Sequence, residues 1–217
     1  GKRINWAILL QGAQGTGKSY FAKVLEWVLG SNAKSLDPSA LGERFTGWAH
    51  GSVVNIVEEI RIKGDDKWRI MDRLKPFITN SMIQIEEKGR DHRTVPNFTN
   101  YLLLTNYKDA LPITNDDRRF CVMYGRIQNE QELFDFFGGR EQTADYFEHL
   151  FAESEKHAGV IKGFLLNYKI SDEFKASGRA PDTSSRQAMI QATISPEQCT
   201  VEDLINKNEC LIINGRV

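Results

Sequence analysis

Gly12-Ala13-Gln14-Gly15-Thr16-Gly17-Lys18-Ser19 sets two glycines around four residues and follows them with Lys-Ser, the P-loop pattern. The run Asn5–Gln11 before it is short and mostly apolar. After it, Phe21, Val24, Leu25, Val28 and Leu29 recur at helical spacing as far as Gly30. Strand, tight loop and helix in that order are what such a loop requires. Gly12, Gly15, Thr16 and Gly17 let backbone N–H groups turn inward on phosphate oxygens without Cβ clashes. The helix N-terminus adds its dipole, and Lys18 bridges the β- and γ-phosphates. Ser19 is placed to hold Mg2+, so ATP with Mg2+ is the expected ligand. The competing reading is an ordinary glycine-rich turn.

Around this stretch lies a chain of 217 residues, 41% hydrophobic, with 28 basic and 29 acidic side chains. That is enough for one substantial core or two small ones and too apolar for intrinsic disorder. The apolar run Ala7-Ile8-Leu9-Leu10 is far short of the roughly 18 residues of a membrane span. Cys121, Cys199 and Cys210 are scattered, odd in number and form no CxxC pair, which points to a reducing, intracellular setting. A net charge of −1 argues against indiscriminate coating of nucleic acid. The start, Gly1-Lys2-Arg3-Ile4-Asn5, has neither Met nor an apolar signal region and reads as a cut from a longer chain.

The first 125 residues alternate short apolar runs with helical patterns, the rhythm of an α/β sheet. Val53–Val57 and Tyr101–Leu104 are nearly continuous apolar runs, as buried parallel strands are, and Phe120–Tyr124 is a further candidate. Met82–Glu87 and Thr94–Phe98 flank the polar stretch Lys88–Arg93 and predict a β-hairpin. From Asn129 the apolar positions take helical spacing: Leu133, Phe136 and Phe137, then Phe147, Leu150 and Phe151, then Ile161, Phe164 and Leu165. Ser177–Ser185 is rich in turn formers and reads as a linker or surface crossing. Ser195-Pro196-Glu197-Gln198 offers a cap for a terminal helix. The expected division is a core over 1–125, a helical part over 126–176, and a linker and short tail over 177–217.

Val53–Val57 ends in Glu58-Glu59, carboxylates at the carboxyl edge of a strand, where open α/β sheets place ligands. Glu58 is assigned to the metal and Glu59 to the attacking water, against the alternative of a solvated pair capping a strand. Asn55 inside that strand demands a hydrogen-bond partner. Tyr101–Thr105 likewise ends in Asn106, whose amide can donate to a phosphate oxygen and accept from water, although Asn is commonplace at strand ends.

The P-loop, Glu58-Glu59, the basic hairpin and the strand ending in Thr105-Asn106 together resemble motifs A, B, B′ and C of superfamily 3 helicases, motors of AAA+ type. The stretch from Leu74-Lys75 through Asn106 is most similar to the helicase halves of phage and plasmid primase-polymerases. The resemblance covers roughly residues 5–125, with a looser likeness over Phe164–Thr183. Two departures are the Glu-Glu pair with Asn55 in its strand, and the helical oligomerisation domain that usually lies upstream, which has no counterpart in this sequence.

The resemblance implies an α/β fold of P-loop NTPase type: a parallel sheet flanked by helices, with a β-hairpin insertion and a helical C-terminal part. It implies an ATP-dependent DNA helicase motor working at the subunit interfaces of a ring, a hexamer, on single-stranded DNA during phage or plasmid replication. A primase or polymerase domain in the same chain would accompany it, inside the host cytoplasm. Arg118-Arg119-Phe120 matches the arginine-finger region, with Arg119 the better match, and the alternative is an exposed ion-pair cluster. Lys75 resembles a further basic residue of the nucleotide site.

Residues 61–93 hold nine Lys or Arg against six Asp or Glu, a net +3 within a slightly acidic chain. By the resemblance, Lys88, Arg90 and His92 at the hairpin tip would contact DNA phosphates; otherwise this is a solvated turn. Trp27, Trp48, Trp68 and Tyr107 read as core or loop packing. Two other functions fit the P-loop: a small-molecule kinase, and a non-catalytic nucleotide-gated assembly module.

Overall fold

The computed structural model describes residues 3–193 and shows a mixed α/β fold. In chain order the elements are β1 (Ala7–Gln11), α1 (Lys18–Leu29), β2 (Ala33–Leu36), β3 (Val54–Val57), α2 (Lys67–Thr79), β4 (Met82–Ile85), β5 (Arg93–Pro96), β6 (Asn100–Thr105), β7 (Phe120–Tyr124), α3 (Glu130–Phe137), α4 (Arg140–Lys156), α5 (Ala158–Asn167) and α6 (Ser184–Thr193). The main sheet runs β2-β3-β6-β1-β7 with every pairing parallel. Among the described residues no helix is long and apolar enough to cross a membrane.

Both faces of the sheet are covered, which explains the unbroken apolar strands. Successive side chains point to opposite faces. Leu9, Val57, Leu103 and Val122 therefore meet Met71 and Leu74 of α2 and Met189 of α6 on one side. Leu10, Ile56, Leu102 and Leu104 meet Ala22 and Leu25 of α1 on the other. Leu9 and Leu103 are paired across β1 and β6 and are fully buried. Truncating either to Ala would cost about 2–5 kcal/mol. Asn55 has no exposure, and its requirement is met: Ser52 Oγ donates to Oδ1 at 2.7 Å and Nδ2 donates to the Trp48 carbonyl at 3.1 Å.

β4 and β5 form the expected antiparallel hairpin, with Ile83 facing Val95, and its apolar side joins the α2 face of the core. The helical texture after Asn129 is present as α3, α4 and α5. The Asn129 side chain accepts from Glu132 N at 2.9 Å, and Gly138 ends α3 with a φ of 85°. The apolar spacing in α5 does not mark a core stripe, however. No α5 residue is buried, and Phe164 and Leu166 are 64% and 77% exposed.

Packing places two elements that the sequence did not announce. β2 carries Lys34 and Ser35 and has no apolar signature, yet it forms the sheet edge. Lys34 Nζ caps the His50 carbonyl, and Ser35 Oγ donates to Glu26 Oε1 of α1. The stretch read as a linker and tail leads directly into α6, which is seated on β7 with Met189 and Ile190 buried. Thr183 explains the docking: its hydroxyl donates to the Val122 carbonyl and accepts from Arg186 N, capping the helix against the strand. The helix expected from Ser195 lies outside the described residues.

Candidate functional site

Two central strands and the edge strand β7 end at one place. Gly12 N donates to the Thr105 carbonyl and Gly125 N to the Gln11 carbonyl, so β6, β1 and β7 deliver their carboxyl ends to the glycine loop. Gly15 and Gly17 take φ of 79° and 85°, where a Cβ is strained. The loop closes on itself, with Lys18 Nζ and Thr16 Oγ1 both donating to the Ala13 carbonyl at 2.6 and 2.8 Å. Burial depresses the Lys18 ammonium pKa, opposed by the charges of Glu59 and Glu58. That lysine holds a carbonyl which an arriving anion can replace.

Ser19 Oγ donates to Glu58 Oε2 at 2.6 Å across 39 positions of sequence. Hydroxyl and carboxylate together form a hard-oxygen donor pair of the kind Mg2+ takes while keeping waters. Glu59, next in the chain, has a φ of 56°, alone among the described non-glycine residues in being positive. Such a conformation costs on the order of 1–3 kcal/mol and persists only where its surroundings impose it. They do so here: Ile60 N donates to the Leu104 carbonyl and Thr105 Oγ1 to the Ile60 carbonyl at 2.7 Å, locking the ends of β3 and β6 together. Lys18, Ser19, Glu58, Glu59 and Asn106 consequently line one open cavity of about 350 Å³.

Sequence reading missed several residues here. Phe147 and Phe151 of α4 close the apolar side of the cavity, and Tyr20 OH lies 2.8 Å from Ser154 Oγ, tying α4 to α1. Their spacing signalled a helix and nothing about its neighbour. Gln11 and Gln128 exchange reciprocal amide bonds of 3.3 and 3.2 Å, and Gln11 Nε2 also donates to the Asn106 carbonyl. A glutamine ending a strand gives no such signal.

Lys75, Arg118 and Arg119 are not brought to this cavity. Ala7 N donates to the Arg119 carbonyl at the start of β1, whereas the glycine loop follows its end. Four strand steps, about 13 Å, separate the two edges. Asp117 is buried there, not part of an exposed cluster. Its Oδ1 accepts from Arg119 N at 2.8 Å, and its Oδ2 lies 3.8 Å from the Arg119 guanidinium and 3.9 Å from Lys75 Nζ. Arg118 is exposed, and Arg119 Nε is buried without a partner.

The hairpin tip is exposed as expected but internally paired. Glu87 holds Arg90 at 3.2 Å and Arg93 at 3.0 Å, and Glu86 lies 3.6 Å from His92. No ion pair involves Lys88 among the described residues. The loop before β3 adds two unforeseen residues. Thr46 and Glu86 are joined by two hydrogen bonds of 2.9 Å, which sets the exposed Arg44 and Phe45 beside Gly89 and Arg90. Of the aromatic residues, Trp48 packs on Phe77 and Trp27 on Phe151. Tyr107 lies under the Arg61 guanidinium at 3.6 Å, and Trp68 is 45% exposed.

Comparison with known proteins gives the chain relatives. Residues 10–119, half of the chain, match the model of a family of unknown function (DUF5906). The DNA primase-polymerase of Nitratiruptor phage NrS-1 is 21% identical over 218 residues, covering 99% of this chain and 28% of that protein. An apo structure of the NrS-1 C-terminal region superposes with a TM-score of 0.73 at 18% identity, covering 94% of this chain and 46% of that one. A second, the A form, gives 0.70 at 19% identity over 95% and 47%. At such identity the structures share a fold with this chain, and the chain spans little more than a quarter of the phage polymerase.

Proposed function

The chain belongs to the DUF5906 family, and from that premise we propose that it is the ATP-hydrolysing motor of a DNA replication helicase, P-loop NTPase in fold and superfamily 3 in type. The NrS-1 relative supports a role in replication. The observation that carries the motor reading is the Ser19–Glu58 hydrogen bond, because it brings the P-loop hydroxyl and the strand-end carboxylate together where a slight separation makes them neighbouring ligands of one cation.

In this reading the loop N–H groups and Lys18 take the β- and γ-phosphates of ATP, Lys18 exchanging the Ala13 carbonyl for phosphate oxygens. Ser19 Oγ and the Glu58 carboxylate would hold Mg2+, which would supply neutralisation of phosphate charge. Glu59 accepts a proton from water as its oxygen attacks the γ-phosphorus and the bond to the β,γ-bridging oxygen breaks, releasing ADP and phosphate. Asn106 orients that water against the γ-phosphate. Arg119, with Arg118 and Lys75 beside it, serves the cleft of an adjacent copy, since its own lies across the sheet. Hydrolysis is then a property of the ring, a hexamer in this reading. Lys88, Arg90 and His92, joined by Arg44 and Phe45, face single-stranded DNA, with phosphate replacing the weak surface pairs to Glu86 and Glu87.

DNA-stimulated ATP turnover by wild type and by Lys18→Ala tests the proposal. Turnover lost in the variant is expected. Equal turnover in both, or ADP release by a monomer that requires a small-molecule acceptor and ignores DNA, would overturn it.

A further inference from the structure

The loop that carries Arg118 and Arg119 is held by a residue from α6, the helix that sequence reading left in the tail. Arg186 is 5% exposed. One of its terminal nitrogens donates to three carbonyls of the loop, those of Thr114, Asn115 and Asp117, at 2.9, 2.9 and 2.7 Å. The other donates to Asp182 Oδ1 at 3.1 Å. The neighbouring backbone continues the clamp: Arg179 donates to the Asn115 carbonyl and Ala180 N to the Arg118 carbonyl. Asp117 then takes the N–H of Arg119.

A buried guanidinium is expensive to desolvate and is tolerated only where nearby acceptors compensate it. Asp182, 62% exposed at its side chain, gives a screened partner, so the carbonyl dipoles carry most of the compensation. Those carbonyls belong to one short loop with no regular hydrogen-bond ladder of its own, and their convergence on one guanidinium nitrogen holds its conformation. Lysine ends one bond short of that nitrogen and has no second arm for Asp182, so it cannot hold the loop carbonyls and Asp182 together.

We propose that Arg186 is the positioning residue of the arginine loop: it fixes residues 114–119 so that Arg119 is presented from the sheet edge to the nucleotide of an adjacent copy. The inference rests on the motor reading for its consequence in turnover. Its structural part, order in the loop, stands apart from that reading.

The test compares the full chain as wild type, Arg186→Lys, Lys18→Ala and Arg119→Ala. Arg186→Lys should bind ATP as wild type does, turn it over about 10- to 100-fold more slowly, and show faster amide exchange confined to residues 114–119 and Ala180. Mixed with Lys18→Ala, it should regain turnover, because that partner supplies an ordered arginine loop to an intact cleft. Mixed with Arg119→Ala, it should regain none. Rescue by both partners or by neither would overturn the assignment, as would unchanged exchange in the loop. If wild type shows no turnover, the motor reading fails, and the exchange measurement alone decides the positioning role. Should Arg186→Lys not fold, Asp182→Ala removes one acceptor of the guanidinium and should give smaller changes in the same readouts. No change in either readout would again overturn it.

Discussion

Phe147 occupies the space in which a side chain at Gly17 would begin: a Cβ built on Gly17 would stand 2.6 Å from Phe147 Cε1. The ring is held there by Phe137 and Tyr146, whose centroids lie 5.9 and 5.5 Å away. Gly17 also has a φ of 85°, so steric and torsional costs act together. Gly17→Ala should lower stability by about 1–3 kcal/mol and weaken nucleotide binding. Adding Phe147→Ala should restore only the steric share, so that the double variant still binds nucleotide less well than Phe147→Ala alone. Thermal unfolding and nucleotide titration of the three variants check this.

Glu59 and Lys18 should fail in different ways. Glu59→Gln keeps the volume and hydrogen-bonding reach of the side chain but removes the proposed base, so ATP binding should persist while turnover falls by about 10²–10⁴-fold. Lys18→Ala removes the group proposed to meet phosphate, and binding itself should weaken. Nucleotide titration beside a turnover assay separates the two, and loss of binding in Glu59→Gln would contradict the role given to it.

The hairpin offers a test in which a substitution should improve binding. Glu87 holds Arg90 and Arg93, so Glu87→Gln should release both cations and raise affinity for single-stranded DNA at moderate salt. Lys88→Ala should lower affinity and reduce the salt slope by about one per copy bound. Titrations with labelled oligonucleotide at several salt concentrations measure both. Identical slopes for wild type and Lys88→Ala would remove Lys88 from the interface.

Glu26 gives an acid-side prediction. The hydrogen bond from Lys23, then that from Ser35, holds its carboxyl below the ordinary value of 4.5. A depressed folded-state pKa means the stabilisation is complete above the unfolded value and is lost as pH falls through the lower folded one. The difference in Tm between wild type and Glu26→Gln should therefore be largest near neutrality and vanish in strong acid. Because Glu26 is partly exposed, the difference corresponds to no more than about 1 kcal/mol. A gap that widens on acidification would contradict the assignment.

Local chemistry made the cleft side of the molecule legible. Gly12–Ser19 needs glycines at set offsets before a helix. Strands buried on both faces must be continuously apolar, and a polar residue ending such a strand must lie at its carboxyl edge. From these constraints the sequence by itself determined β1, β3, β6 and β7 and named Lys18, Ser19, Glu58, Glu59 and Asn106, which line a common cavity in the structure. Long-range partners were decided by tertiary structure alone. The edge strand β2 is polar, the apolar spacing of α5 covers no core, and α6 follows turn formers that give no hint of its docking on β7. That Phe147 borders Gly17, that Arg44 stands beside the hairpin, and that Arg186 reaches carbonyls some 70 positions away are likewise facts of packing. Periodicity records which face of an element is apolar, but the neighbour that face meets depends on how separate elements fill a shared volume, and no stretch of sequence contains that information by itself.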